Sequence, residues 1–256
     1  MTTLAQISDT HLIVPITDDE RAPGRLENLR KCVNDINNLD PRPDAVIHTG
    51  DMTQHGYREE YSLAREILSQ LKIPLYVTPG NRDSRAAIRD LFRIDDYSPP
   101  DKEFIHYATN VGAIRLVAID TINEEGTRPG NLCDTRIAAI DVTLRQAPHT
   151  PTALFMHHPP FDVLTSSEPF QFISREAVEK FSRVLKLHPQ IKRIFCGHAH
   201  RCYVTEIANT RASTLPSVAV DLRLGDYPKA MKNTPVYQVH RFHPDTGFVS
   251  ETRLVV

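Results

Sequence analysis

Five short stretches of the chain carry side chains that bind metal ions. They are Ser-Asp-Thr-His at 8–11, Thr-Gly-Asp at 49–51, Pro-Gly-Asn at 79–81, Met-His-His at 156–158 and Cys-Gly-His-Ala-His at 196–200. Each follows a short apolar run, so each falls where a strand ends. Asp9, His11, Asp51, Asn81, His157, His198 and His200 are the candidate metal ligands. Carboxylate, amide oxygen and imidazole together suit Mn, Fe, Co or Zn better than Mg or Ca alone. Taken singly, a Gly-Asp or Gly-Asn pair is a common turn and an Asp after a strand a common cap. The order of all five, each at a strand exit, is what points to metal. Seven donors are too many for one ion that keeps an open position; they suit two divalent ions sharing a carboxylate. Such a centre generates hydroxide near neutral pH and clamps both oxygens of an in-line displacement at phosphorus. Gly50, Gly80 and Gly197 each precede a ligand, where a missing Cβ allows a sharp turn and a close approach.

These ligands need a scaffold that brings five strand ends to one rim. Residues 4–8, 44–51 and 74–80 read as strands. Residues 25–39, with Leu26, Leu29, Val33 and Ile36 at helical spacing, and residues 58–71 read as helices. This βαβαβ order predicts parallel strands, whose carboxyl ends line the ligand crevice in open α/β sheets. Residues 103–120 predict a hairpin about Asn-Val-Gly, and 237–256 another about Pro-Asp-Thr-Gly. Between them, 135–147 and 174–188 read as helices, 152–160 and 191–200 as strands running into their loops. The second half is thus expected to be more antiparallel than the first. The predicted class is α/β: two sheets face to face with helices outside, as one domain over 1–256. The loop-rich segment 208–234 is a candidate small cap or homo-oligomer contact.

Bulk properties narrow the partners. A formal charge of −2 and the lack of a basic run argue against a nucleic-acid polymer. Cys32, Cys133, Cys196 and Cys202 form no CxxC pair, which suits a reducing, cytoplasmic setting. The start, MTTLAQISDTHLI, lacks the pattern of a signal peptide. No apolar run approaches the ~18 residues that span a bilayer, so no membrane partner is expected.

Asp9-x-His11, Gly50-Asp51, Gly80-Asn81-x-Asp83, His157 and Gly197-His198-x-His200 together resemble the signature of the calcineurin-like metallophosphoesterases, over nearly the whole chain. The spacing, with GYREEYSLAREIL after the second motif, is most similar to bacterial class III cyclic-nucleotide phosphodiesterases and glycerophosphodiesterases. The resemblance implies a four-layer αββα sandwich of two mixed β-sheets flanked by helices. It also implies how the ligands divide: Asp9, His11 and His200 on one ion, Asn81, His157 and His198 on the other, Asp51 bridging. The expected activity is hydrolysis of small phosphodiesters, such as glycerophosphodiesters or cyclic nucleotides, by in-line attack of a metal-bound hydroxide. A phosphomonoesterase or nucleotide-diphosphate pyrophosphatase is the alternative. A non-catalytic scaffold on the same fold is the remote one, set against seven retained ligands.

One position departs from the family pattern, which usually has histidine where this chain has Arg82. In the family that histidine is often proposed to protonate the leaving group or to stabilise the phosphoryl oxygens. A guanidinium can do only the second. Asp51, Asn81, Arg82 and His158 are the candidate catalytic residues, with Arg82 as a clamp on phosphoryl oxygens and His158 as a supporting or substrate-contacting group. Without an acid at position 82, rates should fall steeply as the leaving alcohol becomes more basic, unless His158 or His55 supplies the proton. His55 and Tyr57 are candidates to line the pocket. Asp83 reads as a helix cap, Asp120 as a structural hydrogen-bond acceptor, and His48, His106, His149, His188, His240 and His243 as residues without motif context.

Overall fold

The computed structural model describes residues 1–15, 19–92, 103–226 and 228–255. Strands β1 (Thr2–Ile7) and β2 (Ala45–His48) are buried along their whole length, and β3 (Leu75–Val77) lies beside β2. Helices α1 (Ala22–Asn38) and α2 (Arg58–Leu68) link them, and α3 (Arg85–Phe92) follows β3. The helix expected from residue 25 begins at Ala22 because Pro23 sits in its first turn, where a missing N–H costs no helical hydrogen bond. The three strands are parallel, and no residue of β1 or β2 alternates outward, as expected of strands covered on both faces. The C-terminal hairpin, β10 (Val236–His243) and β11 (Gly247–Leu254), returns to pair antiparallel with β1, giving the order β11-β10-β1-β2-β3.

The second sheet holds β4 (Tyr107–Val111), β5 (Ile114–Ile119), β6 (Thr152–Met156), β7 (Ile191–Phe195), β8 (Val204–Ile207) and β9 (Thr210–Ser213), in the order β4-β5-β6-β7-β9-β8. Its centre corrects the expected antiparallel half. β5, β6, β7 and β9 are all parallel, and only the edge strands β4 and β8 run against them. Helices α4 (Asp134–Arg145) and α5 (Arg175–Leu187) carry the chain back between β5, β6 and β7, which is what parallel neighbours require.

Alternation along β5 shows how the layers stack. Leu116 and Ala118 join a core with Leu4, Ile47 and Phe155 between the sheets. Val117 and Ile119 join a second core with Ile140, Phe181 and Leu185 beneath α4 and α5. The result is two mixed sheets packed face to face and flanked by helices. The segment 208–234 enters this frame directly: Thr210–Ser213 is β9, inside the sheet, and the chain after it runs beneath the first motif. There Ser217 donates to the Asp9 carbonyl at 2.7 Å and the Val218 amide to the Ser8 carbonyl at 3.1 Å.

Candidate metal centre

The five motif stretches leave β1, β2, β3, β6 and β7 at the same end of the two sheets. Beyond the strands their loops stay bonded to one another. The Asp9 amide donates to the Gly50 carbonyl at 2.9 Å and the His11 amide to the Asp51 carbonyl at 3.0 Å; the Gly197 amide donates to the His157 carbonyl at 3.0 Å. The approach is so close that side chains are excluded from the crossing points. A Cβ on Gly80 would lie 2.3 Å from the Asp51 amide nitrogen, and one on Gly197 would lie 2.2 Å from the Ser8 hydroxyl.

Five of the seven candidate ligands pay for this geometry in backbone conformation. Asp9, His11, Asp51, His198 and His200 have φ of 54°, 41°, 51°, 68° and 53°. Non-glycine residues there are strained, and such strain collects at functional sites. Surrounding bonds hold them in place. Asp83 accepts from the amides of Gly80 (2.9 Å), Met52 (3.1 Å) and Thr53 (3.3 Å) and from the Tyr61 hydroxyl (2.9 Å). It therefore ties the Asp51 loop to the Asn81 loop. The expected helix cap belongs instead to Ser84, whose Oγ accepts from the Ala87 amide at 3.3 Å.

All seven side chains converge. His200 Nε2 lies 3.1 Å from Asp9 Oδ1 and 3.1 Å from His11 Nε2. His157 Nε2 lies 3.1 Å from both Asn81 Oδ1 and His198 Nδ1. Asp51 stands between the two groups: Oδ2 is 3.8 Å from His11 Nε2, and Oδ1 is 3.6 Å from His157 Nε2. The donor chemistry fits cations. Against burial, Asp51 and Asp9 hold the His157 ring above the ordinary imidazole value; when neutral, with Nδ1 donating to the Thr49 carbonyl at 2.8 Å, it carries a lone pair on Nε2. That lone pair faces the Asn81 carbonyl oxygen, another acceptor. Asp9 Oδ1 is buried, and the group nearest it among the described ion pairs is His200 Nε2, itself a candidate ligand, at 3.1 Å. Acceptors crowded together in a dry site repel unless a cation lies among them.

Electrostatics agree. Burial alone would push the Asp9 carboxyl up, but His200 beside it, then His157 and His11, overcome that and hold it well below the usual carboxylate range. Burial pushes Asp51 up to about 6, with Asp9 and Asp83 adding repulsion against the pull of His157. Burial pushes His11 and His198 well below the ordinary imidazole range, which leaves neutral rings of the kind that ligate metal.

His158 is placed otherwise than a substrate-contacting role requires. It is fully buried, its Nδ1 meets the Thr121 hydroxyl at 2.8 Å, and its Nε2 donates to the Arg128 carbonyl at 2.9 Å. Both nitrogens are spent on protein, and the ring packs edge-on to His157 and against His198. His48 lies beneath the centre, accepting from the Gly50 amide at 3.2 Å. Asp120 accepts from Arg85 (2.6 Å) and from the amides of Ile105 (3.0 Å) and Ile122 (2.9 Å), none of them a candidate ligand.

Above the ligands opens a cleft of about 860 Å³. Arg82 lies on its wall beside Asn81. Its amide donates to Asp51 Oδ1 at 2.8 Å and its guanidinium to the Gln54 carbonyl at 3.2 Å. Arg21, Arg25 and Arg128, which the sequence did not single out, line the same cleft. Arg25 is buried and donates to the His11 carbonyl (2.8 Å) and to Gln54 Oε1 (2.7 Å). No sequence pattern marks these arginines; Arg21 and Arg25 reach the cleft from the start of α1 and Arg128 from a loop, so only the fold brings them together.

The calcineurin-like phosphoesterase profile matches residues 2–202. A glycerophosphodiester phosphodiesterase, GpdQ, of Enterobacter lignolyticus is 33% identical over 218 residues, covering 84% of this chain and 76% of that protein. A probable GpdQ of Arcobacter nitrofigilis is 29% identical, covering 98% of this chain and 93% of that one. The 3′,5′-cyclic adenosine monophosphate phosphodiesterase CpdA of Pseudomonas aeruginosa is 25% identical, covering 94% and 86%. Among solved structures, a dimetal phosphatase from Danio rerio superposes with a TM-score of 0.73 at 15% identity, covering 100% of this chain and 99% of that one, a likeness of fold.

Proposed function

The chain belongs to the calcineurin-like phosphoesterase family, and from that premise we propose that it hydrolyses small phosphodiesters with two divalent ions bound. Asp9, His11 and His200 would hold one ion, Asn81, His157 and His198 the other, and Asp51 both. When bound, the ions supply Lewis acidity to the phosphoryl oxygens and lower the pKa of water. The observation that carries the reading is the position of Asp51, whose two carboxylate oxygens face the two ligand groups separately.

The chain's own residues do the rest. Asp83 and the Arg82 amide fix the Asp51 and Asn81 loops, so the ligands are set before substrate arrives. The Arg82 guanidinium, on the cleft wall, clamps a non-bridging phosphoryl oxygen through charge-assisted hydrogen bonds. The relatives named for glycerophosphodiesters and cyclic nucleotides support a small diester as substrate. A cytoplasmic setting is supported by four cysteines, all free, and no described helix is long and apolar enough to cross a membrane. The four arginines along the cleft favour a second reading, a phosphomonoester or nucleotide-diphosphate substrate, because these carry more negative charge.

Metal-depleted protein titrated with Mn or Co tests both readings. Activity on bis(p-nitrophenyl) phosphate should keep rising until two ions per chain are bound. The ion on neutral Asn81 should be the more easily lost. Full activity at one ion per chain would end the dinuclear reading, and faster turnover of p-nitrophenyl phosphate would move the assignment to a phosphatase.

A further inference from the structure

Arg82 leaves a chemical question open. An alkoxide leaving group needs a proton, a guanidinium does not give one up near neutral pH, and both nitrogens of His158 are occupied. One other histidine faces the cleft without ligating. His55 lines it together with Asp51, Asn81 and Arg82, and its side chain is 38% exposed. Behind it stands Glu60, whose side chain is 1% exposed. Glu60 Oε1 accepts from His55 Nδ1 at 2.8 Å, and Oε2 accepts from the His55 amide at 2.9 Å and the Tyr57 amide at 3.3 Å. The Tyr57 ring stacks on the imidazole at 5.2 Å, with 22° between the planes. The orientation is thus held from three sides. Nδ1 points back at a buried carboxylate, and Nε2 makes no hydrogen bond among the described residues. The loop also abuts Arg82: a Cβ on Gly56 would lie 3.2 Å from the Arg82 carbonyl.

We infer that His55, oriented by Glu60, is the proton donor to the leaving group, taking over the task that Arg82 cannot perform. The inference rests on the phosphodiesterase reading. In the step, the bond from phosphorus to the leaving oxygen breaks and its electron pair stays on that oxygen. The oxygen takes the proton from Nε2 of the doubly protonated ring. The neutral ring keeps its Nδ1 proton on Glu60 and is recharged from solvent. A water that gives up a proton to solvent supplies the oxygen of the new bond to phosphorus, so the proton returned to the ring from solvent balances the step. Besides Glu60, the charged and titratable groups that line the cleft with His55 are Tyr57, Arg82, Arg25, Arg21, Arg128, Asp51, His11, His198 and His200. A carboxylate behind the ring balances its charge among these cations. The simpler role for Glu60, closing the first turn of α2, is also visible in its bonds to the Tyr57 and His55 amides, and the test must separate the two.

The experiment is a leaving-group series of methyl phosphodiesters, from p-nitrophenyl through phenyl to glyceryl, with Mn supplied, on wild type, His55→Gln and Glu60→Gln. Wild-type kcat/KM should depend weakly on leaving-group basicity. His55→Gln should lose ~10²–10³-fold on the glyceryl ester, the size expected for a missing general acid, and only ~3-fold or less on the p-nitrophenyl ester, whose leaving group needs no proton. The alkaline limb of its pH–rate profile on the glyceryl ester should disappear. Glu60→Gln should show a smaller loss of the same pattern, whereas a purely capping role would lower Tm and reduce all rates alike. A steep wild-type series, or equal losses of His55→Gln on every ester, would overturn the inference while leaving the diesterase reading intact. Failure to hydrolyse any diester with metal bound would overturn both.

Discussion

At the floor of the cleft Asp9, Asp51, His157 and His198 are buried and bonded to neighbouring loops, and all but His157 sit at positive φ. On its wall Arg82, His55 and Tyr57 are exposed, their side chains held by neighbours on the wall itself, Gln54 and Glu60, rather than by the sheets. The floor is rigid because the two sheets, the glycine crossings and Asp83 over-determine it, and the strain it stores is held by the rest of the fold. A side chain on the wall is not fixed by packing, so it can be changed without disturbing the floor. On the proposed reading, metal-assisted chemistry falls to the floor, and substrate contacts and proton supply fall to the wall.

The sharpest way to break this division is Asp51→Asn. It should lower turnover by more than the ~10–100-fold typical of residues that merely support metal ligands, and elemental analysis should find fewer than two ions per chain. Two retained ions with a near-normal rate would remove Asp51 from its place between them. Gly80→Ala comes next. Its Cβ has no room beside the Asp51 amide, so overpacking should cost about 1–3 kcal/mol and metal affinity should fall with it. A lowered Tm together with weaker Mn binding would show that the floor acts as one unit.

Arg82→Ala tests the wall. Loss of a charge-assisted hydrogen bond, about 1.5–3 kcal/mol, should weaken kcat/KM about 10–100-fold for every diester alike, with metal content unchanged. If the ions are lost too, the wall and floor are not separable. Acid sensitivity probes the floor without touching any candidate ligand. Burial holds His48, under the floor, down to about 4. A free imidazole titrates near ~6.5. Between those values the unfolded chain binds a proton that the folded chain refuses, so stability of the metal-depleted protein should fall as pH drops through that window and level off below it. Denaturation midpoints at pH 7, 5.5 and 4.5 should show a shallower slope for His48→Asn.

Much of this was legible before the structure. Asp, His and Asn residues at strand exits mark themselves, because parallel strands end at one rim and metal ligands come from few residue types. The βα order likewise follows from apolar periodicity. The second sheet departs from the antiparallel expectation because the helices legible at 135–147 and 174–188 are crossovers, which make β5, β6 and β7 parallel and leave only the edge strands to run against them.

The sequence by itself determined which seven side chains meet and roughly where the strands and helices lie, since those follow from local pattern and residue chemistry. Only the tertiary structure decided what surrounds the seven. It turned Asp83 from a cap into the tie between two loops, buried both nitrogens of His158, and opened His55 onto the cleft with Glu60 behind it. It also gathered Arg21, Arg25, Arg82 and Arg128 around one opening and set five of the candidate ligands at positive φ. The physical reason is range. Ligand type and strand period are written within a few residues, whereas hydrogen-bond partners, burial and backbone strain come from loops joined only when two sheets pack together.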